Sequence, residues 1–401
     1  MKLLFIGTHV DQTTGYSKVV YNLLEHMSKI AKVYHFGFQR HPNKSNIRTP
    51  PKSVSVYDVA ANVDPVQDSF GYKKVGSYIK TVKPDVIMIY NDPIVSHFFM
   101  EEIKKTNTKA KVWVYLDQLY NGINPTLVTS INRADRIYTF TEDWAELWKK
   151  YDPKHPEVKT LHHAVDPKEF GPIDTTDVRK NLGIPEDAII ILNANRNSGR
   201  KRLDYCIMGF AQLLRNFPDL NVYLVFVTGM AAEHGAFYDI ARIFNYELQM
   251  NGMDLALESR IKVINTSPPN RLADADINKL YHVADIGINT SDGEGYGLCT
   301  LEHLFAGKPQ IVTDIGVYQS FLTDDVLEYI PRHERVYYSG TLMLGFFAPT
   351  FSIFEVAKAM KRMIDNLKDK TESAKQFRFR TWAEVLEPLI TDINNEGAIV
   401  V

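Results

Sequence analysis

Two glutamates, Glu294 and Glu302, stand eight positions apart in SDGEGYGLCTLEHLFAGKPQIV, residues 291–312. The turn Gly295–Tyr296–Gly297 leads into what the spacing of Leu298, Leu301, Leu304 and Phe305 predicts to be a short helix. Gly307 and Pro309 close that helix, and a β-branched strand follows. With a helix starting near Gly297, the amides of Gly297, Leu298 and Cys299 are free to meet a phosphate or sugar oxygen. Glu294, in the loop before it, can accept hydrogen bonds from sugar hydroxyls. Glu302, early in the helix where the dipole tolerates an acid, can hold a ribose diol. The plain alternative is a surface helix with a glutamate in its early turns. The glycine density argues against that, because glycines there cost stability unless the backbone must approach something closely.

A second cluster offers the complementary charge. Asn195, Arg196, Gly199, Arg200, Lys201 and Arg202 directly follow the apolar run AIIILNA. Arginine presents a planar fork and lysine a compact charge, so basic residues at a strand-to-helix turn can clamp a diphosphate. The alternative is a solvated helix start. Positive side chains in a first helical turn oppose the macrodipole, and that conflict points to an anion.

Weaker signals follow other strands. Thr13, Thr14, Gly15, Tyr16 and Ser17 open the first helix, where Gly15 lets the backbone approach a phosphate; a plain loop with a helix cap reads equally well. Asn91 and Asp92 end DVIMIY, and Asp117 ends KVWVYLD, where it is placed to bind a sugar hydroxyl or steer an acceptor. His162 and His163 end another strand and read as interdomain polar contacts. No His, Cys and carboxylate set has metal-ligand spacing, and G-x-S-x-G, P-loop and G-x-G-x-x-G patterns are missing from the sequence.

The elements that must position these residues alternate. Strands are predicted at Lys2–Ile6, Lys32–Phe38, VSVYDVA, DVIMIY, KVWVYLD, RIYTF and VKTLHH, with helices at Tyr16–Ile30, Tyr72–Val82 and Asp143–Lys150. Residues 164–187, with three prolines, break the rhythm as a linker holding one short helix. The alternation restarts with AIIILNA, a helix Arg202–Asn216, NVYLVFVTG, a helix His234–Met250, RIKVIN, a helix Ile277–Val283 and DIGINTS. Such order implies right-handed crossovers and two doubly wound parallel-sheet α/β lobes, whose ligands bind in a cleft at the carboxyl edges. The expected division is 1–165, 166–380, and a C-terminal helix over 381–401 packing back on the first lobe.

The 401 residues are 45% hydrophobic and 23% charged, so each lobe can build a core. A net charge of −2 exerts no global pull toward nucleic acid or anionic membrane. Apolar runs are too short to span a bilayer, and Met1-Lys2 leads straight into a strand rather than a signal peptide. Cys206 and Cys299 fit no zinc or redox spacing and suggest a reducing, cytoplasmic setting, with peripheral membrane association left open.

Taken together, the motifs resemble the retaining glycosyltransferases of family 4, which have the GT-B fold. EGYGLCTLEHLFAGKPQIVTDIG is similar to their acidic signature and NANRNSGRKRLD to their diphosphate clamp, with Arg196 and Lys201 in the matching places. TTGYSKVVYNLLEHM, ADRIYTFTEDW and HHAVDPKEF resemble the first-lobe glycine loop, the end of that lobe and the interdomain stretch; the likeness runs from residue 2 to about 325. The resemblance implies that Glu294 contacts the donor sugar, Glu302 the ribose, Arg196 and Lys201 the diphosphate, Gly15 the same diphosphate from the opposite lobe, and Asn265, Thr266 and Ser267 the base. It further implies a GT-B pair of Rossmann-like lobes and metal-independent hexosyl transfer without a cofactor. The donor is a nucleoside diphosphate sugar, GDP-mannose ahead of a UDP-sugar, and the acceptor a glycan, lipid or small molecule. Where many relatives carry a sugar-contacting histidine, this chain has Asp117, and residues 329–350 are longer and more aromatic than the family connection, as in a hairpin shaping an acceptor or partner surface. A sugar-nucleotide epimerase on the same fold, or an inactive sugar-nucleotide-binding subunit, are the competing readings.

Overall fold

The structure, a computed structural model, describes residues 1–40, 47–119, 121–153, 158–230, 235–267, 270, 272–339 and 345–399. Contacts divide the chain into two compact units. The first comprises residues 1–164, 338–346 and 380–401, and the second residues 165–337 and 347–379.

Seven strands form the first unit's sheet: β1 (Lys2–Thr8), β2 (Lys32–Phe38), β3 (Ser55–Asp58), β4 (Val86–Asn91), β5 (Lys111–Leu116), β6 (Arg136–Thr139) and β7 (Val158–Thr160). Their order is β3-β2-β1-β4-β5-β6-β7, every pair parallel, with Leu3 opposite both Val33 and Val86. Parallel strands are covered by helices on both faces, which is why they read as unbroken apolar runs. Ile87, Ile89, Val112, Val114 and Ile137 pack with Phe99, Ile103, Ile131 and Trp148 in one core. Phe99 and Ile103 belong to a helix, Pro93–Lys104, that the periodicity reading did not include; Asp92 caps it, accepting from the Val95 amide at 2.9 Å. The C-terminal helix Trp382–Ile399 falls in this unit, and its Asp392 accepts from Tyr138 Oη at 2.7 Å and Lys159 Nζ at 2.8 Å.

The second unit repeats the plan with β8 (Ile189–Asn193), β9 (Val222–Thr228), β10 (Ile261–Asn265), β11 (Ile286–Asn289), β12 (Gln310–Thr313) and β13 (Leu327–Ile330). The order is β10-β9-β8-β11-β12-β13, again all parallel. The chain reverses direction across the sheet between β8 and β11, the point where open sheets of this kind hold ligands. Helix Leu203–Asn216 packs on helix Ile353–Asp365 so closely that a Cβ on Gly209 would lie 2.5 Å from Val356 Cγ1. The linker holds two short helices, Pro167–Phe170 and Val178–Leu182, rather than one. The helix expected from His234 starts at Ile240 behind an Asp239 cap; residues 231–234 lie outside the described residues. Strands β14 (Arg335–Ser339) and β15 (Gly345–Pro349) pair with each other, as the hairpin reading of 329–350 requires, and the turn at 340–344 lies outside the described residues. Among the described residues no helix is long and apolar enough to cross a membrane.

Candidate functional site at the second sheet's carboxyl edge

The basic turn and the glutamate loop leave neighbouring strands. After β8, Asn195 is buried and its side-chain amide donates to Asn193 Oδ1 at 2.9 Å. Asn195 Oδ1 in turn accepts from Lys201 Nζ at 2.8 Å. A 3-10 turn, Gly199–Lys201, swings Lys201 inward until the residue is only 7% exposed. The next residue, Arg202, holds a left-handed backbone at φ 46°, unusual outside glycine. Its guanidinium is fixed over the Tyr205 ring at 3.9 Å and against Asp204 at 3.0 Å.

Glu294, 6% exposed, comes from the loop after β11. Its carboxylate accepts from Lys201 Nζ, from Arg200 at 3.3 Å and from Asn289 Nδ2 at 3.0 Å. Burial pushes this carboxyl up, but the charges of Lys201 and Arg200 and the bonds from Lys201 and Asn289 outweigh burial and bring it down to about 2. Burial also pulls Lys201 below the ordinary lysine range, against the restoring charge of Glu294. Arg200 is tied further to Ser291 Oγ at 3.0 Å and to the Gly293 carbonyl.

Gly297 then caps helix Leu298–Phe305 at φ 88°, and a Cβ there would lie 2.8 Å from the Tyr318 ring. Both the backbone angle and the close approach demand glycine. Among the described residues the amides of Leu298 and Cys299 find no acceptor, as expected for the first turn of a helix. Tyr318 Oη accepts from Asn289 Nδ2 at 2.8 Å, and the Tyr296 ring stacks on Phe321 at 4.1 Å. Gly295 and Tyr296 are buried with them. Cys299 reaches Asn195 Oδ1 at 3.3 Å, and burial raises its thiol to about 11, so it is neutral and unreactive at ordinary pH. Glu302, also buried, accepts from Tyr281 Oη at 3.2 Å.

Lys201, Glu294, Gly295, Tyr296, Gly297, Leu298, Cys299 and Glu302 are therefore brought to one edge, between β8 and β11. Arg196 is not joined to them: its side chain is exposed and has no partner among the described residues, and Arg200 takes the place on Glu294. Asn265 ends β10 and Thr266 and Ser267 follow it, two strands from the basic turn; Asn265 Oδ1 accepts from the amides of Met230 and Ser267 at 3.1 and 2.9 Å.

Gly15 and Asp117 belong to the first unit. Gly15 is the exposed first residue of helix Gly15–Met27, capped by Thr14. Asp117 is half-buried after β5, its amide donating to Asn91 O at 3.0 Å and its carboxylate bonded to the Tyr16 hydroxyl. In the same unit His162 meets Glu142 at 2.9 Å, and His163 packs on Phe140, ring centroids 4.3 Å apart. Burial lowers both, His163 to about 3.

Sequence reading passed over Asn289 and Tyr318. Asn289 is a polar residue ending a strand, the same signal that singled out Asp117. Tyr318 lies 29 residues past Asn289 and gives no local sign. Among the described residues no group of three His, Cys, Asp or Glu side chains could hold a metal ion.

A model of the family described as "Glycosyl transferases group 1" matches residues 174–377. D-inositol 3-phosphate glycosyltransferase of Saccharomonospora viridis is 28% identical over 207 residues, 51% of this chain and 46% of that protein. D-inositol 3-phosphate glycosyltransferase 1 of Catenulispora acidiphila is 31% identical over 193 residues, 47% of this chain and 43% of that one. The chain thus spans about half the length of the curated relatives it matches. Sucrose-phosphate synthase from Thermosynechococcus elongatus superposes with a TM-score of 0.72 at 15% identity, covering 100% of both chains. Anabaena HepE in complex with UDP and glucose gives 0.67 at 16% identity, over 100% of this chain and 99% of that one. At such identities the likeness shows the fold, the two-lobed GT-B arrangement of parallel sheets.

Proposed function

The chain belongs to the group 1 glycosyl transferases, and on that premise we propose that it moves a hexose from a nucleoside diphosphate sugar to an acceptor hydroxyl, with retention at the anomeric carbon and without a metal. The observation that carries this reading is the buried meeting of Lys201, Arg200 and Glu294 beside the open start of helix Leu298–Phe305. Breaking the bond to the sugar builds positive charge on the ring and negative charge on the departing diphosphate. Lys201, Arg200, Arg196 and the amides of Leu298 and Cys299 answer the second. Glu294, held in place by Asn289, accepts from sugar hydroxyls, and Glu302 from the ribose. Asn265 to Ser267 face the base.

GDP-mannose is the donor the sequence resemblance favours. Two proteins of similar fold were solved with UDP and glucose and with UDP-2-fluoro glucose, so UDP-glucose is the second donor to try. A thermal-shift screen of GDP-, UDP- and ADP-sugars ranks them, since ligand at a hundredfold excess over Kd adds about 2.7 kcal/mol of stability. Lys201→Ala tests the clamp. Loss of one preorganised donor lowers turnover roughly 10²- to 10³-fold; unchanged transfer and unchanged donor hydrolysis sink the assignment. Donor turnover at full rate with no acceptor present would favour an epimerase instead.

A further inference from the structure

The segment after β9 carries an aromatic ring that the reading above leaves unused. Phe237 is 69% exposed. Scattered exposed apolar side chains are ordinary; Phe237 differs in how firmly it is anchored, and to what. Its ring lies against the basic turn, 3.4 Å from where a Cβ on Gly199 would sit. Asn197, 6% exposed, fixes the backbone beneath it. The Asn197 carbonyl oxygen accepts from the amides of Phe237 and Tyr238 at 3.1 and 2.8 Å, and its NH2 group donates to Gly229 O and Tyr238 O at 3.1 and 2.8 Å. Those bonds use both donors and both lone pairs of the amide. Tyr238 Oη donates to Gly199 O at 2.7 Å, and its ring supports Phe237 edge-on at 4.9 Å. The exposed ring and the diphosphate clamp are thus one connected piece.

Strand order places this ring. β9 flanks β8 on one side, and β11, whose loop carries Glu294, flanks it on the other. A nucleoside diphosphate sugar is linear, with the diphosphate in the middle. Its polyol end matches the carboxylate and amide of Glu294 and Asn289. Its flat aromatic end matches an exposed aromatic face on the opposite side of the clamp. Resting on the donor reading above, we propose that Phe237 is the platform on which the donor's nucleobase stacks.

Calorimetric titration of GDP, UDP and inorganic pyrophosphate into the wild type, Phe237→Ala and Phe237→Trp tests this. A base stacked on an aromatic side chain is worth enough that its loss weakens binding roughly tenfold. Phe237→Ala should therefore lose about tenfold for GDP and less for UDP, whose base is smaller, with pyrophosphate unchanged; Phe237→Trp should restore the nucleotides. Unchanged GDP affinity in Phe237→Ala overturns the inference, also where the acceptor KM rises instead. A parallel fall for pyrophosphate overturns it too, because the ring then only props the turn. A wild type that binds none of the three ligands brings down the donor reading itself, and this inference with it.

Discussion

Glu294 in the second unit and Asp392 in the first are both buried carboxylates held by polar and cationic partners, and the two are set in different places. Glu294 accepts from Lys201, Arg200 and Asn289; Asp392 accepts from Tyr138 and Lys159 and forms an ion pair with Arg136 at 3.1 Å. The donors to Asp392 are residues of strands β6 and β7, so the cluster pins helix Trp382–Ile399 to the first sheet. The donors to Glu294 stand at or beyond the ends of β8 and β11, beside a helix start whose first amides find no acceptor among the described residues. The same charge chemistry is a staple in one unit and a candidate binding edge in the other. The strand end, where the chain leaves the sheet, makes the difference.

Removing each carboxylate should separate the two roles, and Glu294→Ala should have the larger effect. It leaves the buried Lys201, and the partly buried Arg200 beside it, without a counter-charge; breaking a buried pair in this way costs about 3–5 kcal/mol, read by urea unfolding. The pH dependence has a defined sign. The folded-state value near 2 lies below the ordinary glutamate value of 4.5, so the contribution is complete above about pH 4.5 and lost as pH falls toward 2. The variant should lack that acid limb. Inorganic pyrophosphate should stabilise the variant more than the wild type, since the vacated cations can take it. A variant as stable as the wild type, with the acid limb intact, would show that the pair does not hold the loop.

Asp392→Ala should cost less, about 3 kcal/mol at the low end of the same range, because the Lys159 side chain is 38% exposed and can regain water. Donor affinity and turnover per folded molecule should stay at the wild-type level. A loss of donor affinity at 25 °C, well below the melting point, would erase the contrast between staple and site.

These two clusters also mark how far the sequence could be read. The strands were legible because a parallel sheet covered on both faces makes continuous apolar runs, and the candidate loops were legible because they follow those strands. Which guanidinium lies on Glu294 was not. Arg196 and Arg200 both precede Lys201 in sequence, and only the 3-10 turn at Gly199–Lys201 directs Arg200 inward and leaves Arg196 exposed. Asn289 carried the strand-end signal and was passed over. Tyr318 and Asp392 carried none: Asp392 is 254 residues from Tyr138 in the chain, and such pairings are set by packing, not by local spacing.

Asp292 supplies the control for both clusters. It is buried two residues before Glu294, yet among the described residues its side chain has one distant partner, Arg202 at 3.5 Å. Burial, aided by the nearby Asp204 charge, raises its carboxyl to about 7, the opposite of what three donors do for Glu294. In the unfolded chain it ionises near 3.8. Between about pH 4 and pH 7 the unfolded state therefore releases a proton that the folded state keeps, so this group makes stability fall as pH rises through that window and adds no further slope above it. Asp292→Asn removes the ionisable group and keeps the shape. Its unfolding free energy should lose that downward slope, matching the wild type near pH 4 and exceeding it near pH 7.5. Parallel curves for the two proteins across pH 4–7.5 would mean that Asp292 is ionised throughout, and that Arg202 at 3.5 Å compensates its burial as fully as three close donors compensate that of Glu294.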